Sequence, residues 1–310
     1  MGAAGVNMLK YLPGYGRVDG ALRQRYDPHG GNPFLRFAPP GHVHSPLPDL
    51  GLVDRDQARL FDRTVTHVPG IDLQVGAQLD LVAEFSKYYG DLPFADDRSR
   101  GLRYYFRNEW FSYGDAIVLY SMLRHVRPRR MLEIGSGFSS AVMADTNDRF
   151  LDRQVALTFV DPHPERLLAL LGEGDKTRCE ILAARAQDVP LGRFSSLEPG
   201  DVLFIDSSHV AKVGSDVVHL VTTVLPVLAE GVIIHFHDVF WPFEYPEEWV
   251  REGRAWTENY LLKAFLQFNE SFKILCFNSY LAQHHLETVA RHLPSFPRNP
   301  GASLWLKKVA

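Results

Sequence analysis

From about residue 129 onward, short apolar runs alternate with amphipathic stretches. The apolar runs at residues 131–134, 155–160, 179–183, 202–205, 232–236, 274–277 and 303–306 predict strands. Between them, apolar positions at helical spacing predict helices over 139–148, 164–171, 213–228, 257–268 and 280–292. Runs without polar alternation are buried on both faces, and strand–helix alternation makes a parallel sheet covered on both sides. The expected fold is α/β and doubly wound, with its ligand outside the carboxyl ends of the strands.

The first hundred residues read differently. Gly and Pro are dense over 13–48, which predicts irregular chain wrapped on a neighbouring surface with no core of its own. Helical periodicity returns over 56–64 and again over 77–89, where Leu79, Leu81, Val82 and Phe85 share a face. An aromatic run follows (Tyr104, Tyr105, Phe106, Trp110, Phe111, Tyr113), and 113–126 reads as a helix entering the regular region. The expected organisation is an N-terminal cap or lid over 1–112 and a ligand-binding domain over 113–310.

Charge and composition narrow the partners. Lys+Arg 33 against Asp+Glu 37 leave a net charge of -4, which gives no general attraction to nucleic acid or to anionic membranes. The most apolar stretch, 217–234, is broken by His219, Pro226 and Glu230 and is not a membrane span. Met1 to Gly5 show no basic stretch followed by an apolar one, so a cytoplasmic location is expected. Cys179 and Cys276 sit inside apolar runs and read as small hydrophobes, not as a disulfide or a metal knuckle.

The strongest local motif is Met131-Leu132-Glu133-Ile134-Gly135-Ser136-Gly137-Phe138-Ser139-Ser140, which ends a strand and opens a helix. Such a turn aims backbone N–H groups and a helix dipole at a ligand, and its glycines permit close approach. A dinucleotide fingerprint wants a third glycine where Ser140 stands. An acid two residues before the first glycine suits a cationic ligand, such as a sulfonium amino acid, better than a pyrophosphate. Asp161 directly follows the second strand, within reach of ribose hydroxyls. Asp188, in Arg185-Ala186-Gln187-Asp188-Val189, could accept from an adenine amino group or cap a turn.

In order and spacing, Glu133-x-Gly135-x-Gly137, Asp161, Asp188 and the run Val202-Leu203-Phe204-Ile205-Asp206 resemble class I S-adenosylmethionine-dependent methyltransferases. Within that superfamily the chain is most similar to the branch of small-molecule O-methyltransferases and cephalosporin-hydroxylase-like proteins. The resemblance implies a mostly parallel seven-stranded sheet with an antiparallel last strand. It also implies that Glu133, Gly135, Ser136 and Gly137 meet the methionine part, Asp161 the ribose, and Gln187 and Asp188 the adenine. Asp206 and Tyr113 are further expected cofactor contacts. Ser139 stands where many members have a third glycine.

A second constellation comprises Asp206 and His209 after the fourth strand and His235-Phe236-His237-Asp238 at the end of the fifth. Groups at adjacent strand ends can converge. Asp206, His237 and Asp238 could hold a divalent cation such as Mg2+, which in some relatives orients a hydroxylated substrate. Alternatively His209 or His237 is a general base, with Asp206 in the catalytic group.

The expected activity is methyl transfer to a small-molecule hydroxyl. Aminoalkyl transfer, cofactor cyclisation, nicotinamide-dependent oxidation and non-catalytic cofactor binding are the alternatives. The aromatic cap could also pack on a second copy, making a homo-oligomer.

Overall fold

Seven strands form one sheet: β1 (Arg130–Ile134), β2 (Ala156–Val160), β3 (Glu180–Leu182), β4 (Val202–Ile205), β5 (Ile233–Phe236), β6 (Phe272–Phe277) and β7 (Leu304–Lys308). Their spatial order is β3-β2-β1-β4-β5-β7-β6. The protein was analysed as a computed structural model that describes residues 37–172 and 174–310. The opening residues, and most of the Gly- and Pro-rich stretch over 13–48, lie outside the described residues. β1 to β5 are parallel, and β7 runs antiparallel between β5 and β6. This is the doubly wound, mostly parallel sheet with an antiparallel last strand that was expected.

Burial explains where each strand sits. β4 and β5 are buried at every position and occupy the interior of the sheet. β3 is an edge strand, partly exposed and only three residues long, so the apolar run over 179–183 is only partly strand. On one face, Phe159, Glu133, Phe204, His235, Trp305 and Cys276 stand in a single cross-strand row.

The chain passes from β1 outward to β2 and β3, then returns to β4 on the other side of β1. That reversal opens a crevice at the carboxyl ends of β1 and β4. Main-chain bonds tie the turns there together. Gly135 N–H donates to Val160 O at 2.9 Å, Asp206 N–H to Ile134 O at 2.8 Å, and His237 N–H to Ile205 O at 2.9 Å.

Three helices depart from expectation for identifiable reasons. The first starts earlier, as Leu50–Leu60, because the Asp49 carboxylate caps it by accepting from Gly51 N–H. The long helix expected over 213–228 starts only at Asp216, capped by Ser215, and widens to a π turn at Leu220–Val224 before Pro226, which has no N–H to donate. The helix expected over 280–292 is two, Asn278–His284 and Leu286–His292, broken at His285.

Two compact units divide the described residues: 37–62 with Glu247–Ala255, and Arg63–Pro246 with Trp256–Ala310. In the smaller one, Arg251 bonds Asp54 at 2.8 Å, and Gln57 donates to Glu247 at 2.8 and 2.9 Å. The larger contains the whole sheet and also residues 63–112. No helix among the described residues is long and apolar enough to cross a membrane.

Candidate functional site

The turn after β1 is closed by its own side chains. Gly135 takes φ +79°, and a Cβ there would lie 2.0 Å from Asp206 O, so only glycine fits between the two strand ends. Gly137 N–H donates to Ser140 Oγ at 3.0 Å at the start of the helix Phe138–Phe150. Beneath it Glu133 is fully buried and accepts from Ser139 Oγ at 2.5 Å and from Ser140 Oγ. Burial pushes the Glu133 carboxyl up to about 8; the two serine bonds oppose this, and nearby Asp206 and Asp161 add to it. Glu133, expected to meet a cationic ligand, has no exposed surface and holds two serines of the helix it underlies.

Asp161 does border the glycine turn. One oxygen accepts from both the N–H and the hydroxyl of Ser136 at 2.9 Å, and the other accepts from His163 N–H at 2.8 Å. Gln187 donates to Gly214 O at 2.7 Å, while its Oε1 is buried with no partner. Asp188 is exposed and pairs with Arg185 through both oxygens at 2.7 and 2.8 Å. Tyr113 donates to Asp96 at 2.9 Å, stacks on Phe106 at 4.6 Å and lies under the Arg298 guanidinium.

The second constellation assembles around His209. Its Nδ1 lies 2.9 Å from Glu258 Oε2, and its Nε2 lies 3.3 Å from Asp206 Oδ1 and 3.7 Å from Asp238 Oδ2. Ser207 Oγ donates to Glu258 Oε1 at 2.9 Å and accepts from His209 N–H at 3.1 Å. The Trp256 ring covers the imidazole at 4.4 Å between centroids. His209 and Asp238 both hold positive φ, +59° and +56°, a conformation that costs a non-glycine residue energy and recurs at functional sites. At His209 this turns the carbonyl onto the N–H groups of Thr257 (2.9 Å) and Glu258 (3.1 Å), at the start of the helix Glu258–Leu266.

Electrostatics there favours a charged imidazole. Burial opposes the His209 cation, but Asp206 and Glu258 outweigh it and lift the group well above the ordinary histidine range. Burial likewise opposes ionisation of Asp206, yet His237, His209 and Arg166 hold its carboxyl below the usual range.

His237 is buried, with Nε2 3.6 Å from Asp238 Oδ1, Nδ1 unpartnered, and Phe111 5.2 Å away between ring centroids. His235 is a core residue, bonded to Ser303 Oγ at 2.8 Å and stacked on Phe204 at 3.7 Å.

These residues do not fit a divalent metal. At the expected metal ligands Asp206, His237 and Asp238, the two carboxylates flank the His209 imidazole, and among the described residues no group of three or more His, Cys, Asp or Glu is arranged to hold an ion. A nucleoside-bearing amino acid fits better. The glycine turn presents backbone without side chains at Gly135 and Gly137, Asp161 lies beside that turn, and Gln187 Oε1 awaits a donor.

The aromatic run lies against this end of the sheet. Tyr105 packs edge-on to Phe138 at 5.4 Å, Trp110 carries the Arg166 guanidinium at 3.8 Å, and Phe111 reaches Phe204 and His237. The loop after β5 is non-helical and turns at Trp241–Pro242, where Phe243 holds φ +72° and its N–H donates back to Phe240 O. Sequence reasoning missed Glu258, Ser207, Trp256 and Arg166. Glu258 reads only as an acid in a helix first turn, 49 positions from the histidine it holds.

Residues 132–239 match a family described as a methyltransferase domain. An uncharacterized protein of Archaeoglobus fulgidus is 34% identical over 166 residues, covering 53% of this chain and 75% of its own. Among solved structures, the SAH-bound methyltransferase PaMTH1 of Podospora anserina is similar at 14% identity and a TM-score of 0.42 over 84% of this chain and 96% of its own. The O-methyltransferase TomG of Streptomyces achromogenes, in complex with SAM, is similar at 16% identity and a TM-score of 0.42, with the same coverage of 84% and 96%. Structural likeness at this level carries no argument about site or substrate.

Proposed function

The chain belongs to the class I S-adenosylmethionine-dependent methyltransferase superfamily, and from that premise we propose that it methylates a hydroxyl oxygen of a small-molecule acceptor, with His209 taking the proton. The observation that carries this reading is the position of His209, an imidazole pinned by Glu258 at one nitrogen and flanked by Asp206 and Asp238 at the other. The cluster adjoins the glycine turn through the contact of Gly135 with the Asp206 backbone.

Gly135, Ser136 and Gly137 line the cofactor's seat. Asp161 faces the ribose hydroxyls, Gln187 Oε1 accepts from the adenine amino group, and Asp206 orients the ammonium. Glu133 acts indirectly, by holding Ser139 and Ser140. When bound, the cofactor supplies a methyl carbon made electrophilic by its sulfonium, and the bonding pair stays on sulfur as the methyl leaves. The protein's part is to hold the acceptor oxygen in line and to accept its proton at His209 Nε2. Glu258 fixes the tautomer by engaging Nδ1, and Trp256 shields the ring from water. Because the resting imidazole is protonated, catalysis waits on loss of that proton, and activity rises with pH.

Incubation with methyl-labelled S-adenosylmethionine and a panel of hydroxylated small molecules tests this. Label in a product, with S-adenosylhomocysteine formed in equal amount, is expected. S-Adenosylhomocysteine binding without label transfer to any acceptor would count against oxygen methylation. Release of methylthioadenosine from cofactor alone would point to alkyl transfer or cyclisation.

A further inference from the structure

Arg166 is a cation with no evident task. It lies five positions beyond Asp161 in the helix Glu165–Leu170 and is exposed. Among the described residues it forms no ion pair; its guanidinium lies flat on the Trp110 ring at 3.8 Å. The side chain crosses the glycine turn: a Cβ placed on Gly137 would stand 3.0 Å from Arg166 Cδ and 3.8 Å from Nη1. Asp206 borders the same turn two residues earlier, with its backbone carbonyl against Gly135. Trp110 itself is 57% exposed, unusual for a large ring unless something covers it.

Charged groups at this end of the sheet also include the Asp161 carboxylate on Ser136, and the Asp206 and Asp238 carboxylates on either side of His209 Nε2. An α-amino-acid end carries an ammonium and a carboxylate on one carbon. Asp206 answers the first, and Arg166, whose side chain lies against Gly137, answers the second. A guanidinium stacked on indole keeps its edge N–H groups free and pre-aimed, the geometry that suits a carboxylate.

We propose that Trp110 and Arg166 form a carboxylate subsite above the glycine turn, and that it takes the α-carboxylate of the cofactor's amino-acid end. The inference rests on the functional reading above. Arg166 makes the contact; Trp110 is a positioning residue that holds the guanidinium over Gly137. Together with Asp206 they make the crevice selective for a zwitterionic amino acid over a plain amine or a plain nucleoside.

The test is calorimetric, on the full chain, with S-adenosylhomocysteine and its decarboxylated analogue, which lacks only the carboxylate. The wild type is expected to prefer S-adenosylhomocysteine by about 10- to 30-fold. Arg166→Gln should erase that preference, weakening S-adenosylhomocysteine by that factor and the analogue by less than about 2-fold. Trp110→Leu should give an intermediate loss of about 3-fold, again for the carboxylate ligand alone. Both side chains are exposed, so the variants fold. Undiminished S-adenosylhomocysteine binding by Arg166→Gln, or equal weakening of both ligands, would overturn the subsite and leave the methyltransferase reading standing. Failure of the wild type to bind either ligand would overturn that reading and the subsite with it.

Discussion

The turn after β1 and the cluster after β4 and β5 lie at the same end of one sheet, yet they are built in opposite ways. At the turn, almost every polar group is satisfied from within: Glu133 by two serines, Gly137 by Ser140, Ser136 by Asp161. Its burial raises a carboxyl toward neutrality. In the cluster, three carboxylates crowd one imidazole, two residues hold positive φ, and His237 Nδ1 is left unpartnered. A satisfied site is rigid and shapes a backbone cradle; a crowded one holds a proton that can move. On the proposed reading, the contrast separates binding from chemistry.

The largest expected effect removes the crowded side. His209→Ala should lower the methyl-transfer rate by about 100- to 10,000-fold. S-Adenosylhomocysteine affinity, measured by calorimetry, should change by less than about 3-fold, because the cradle is built elsewhere. Equal losses in rate and affinity would erase the separation.

Glu258→Gln is the sharper probe. It keeps the shape around Nδ1 but removes one of the two carboxylates that raise the His209 group. The midpoint of the rise in kcat/KM with pH should therefore move down toward the ordinary histidine value. The plateau rate should fall about 10-fold as the base weakens. A pH profile identical to wild type would show that Glu258 is merely structural.

On the closed side the effect is on stability. Burial holds the folded Glu133 group at about 8, above its unfolded value, so the folded protein binds the extra proton. Its stabilising contribution is complete below the unfolded value near 4.5 and is lost as pH rises through 8. The slope is at most about 1.4 kcal/mol per pH unit. Glu133→Gln lacks this slope, so between pH 5 and 8 the wild-type Tm should fall relative to the variant. Parallel Tm curves would mean the carboxyl is ionised in the fold. Smallest of all is the response to a chelator. With an imidazolium between the carboxylates, activity should be the same with and without EDTA, and a metal-dependent rate would restore the ion.

Much of this was legible from the chain. β4 shows as an unbroken apolar run because both its faces are buried, and Glu133-x-Gly135-x-Gly137 marks the crevice because the turn between strand and helix demands glycine at Gly135. Asp206 and His209 stand out by following a strand directly. What was hidden depended on distance along the chain or on satisfaction. Glu258 meets His209 only after the chain has gone through β5 and its loop. Nothing in the motif shows that Glu133 turns inward onto Ser139 and Ser140, or that Asp188 is claimed by Arg185. Acids read alike in sequence whether they face a ligand, a serine or an arginine; only burial and partners tell them apart.

The most direct test of the proton-holding cluster needs no acceptor substrate: a titration of the His209 ring nitrogens by NMR, assigned through His209→Ala. A transition well above the 6.5 of an ordinary histidine is expected, since Asp206 and Glu258 both hold the charged ring. A transition at or below that value would contradict it and leave the imidazole neutral between three carboxylates.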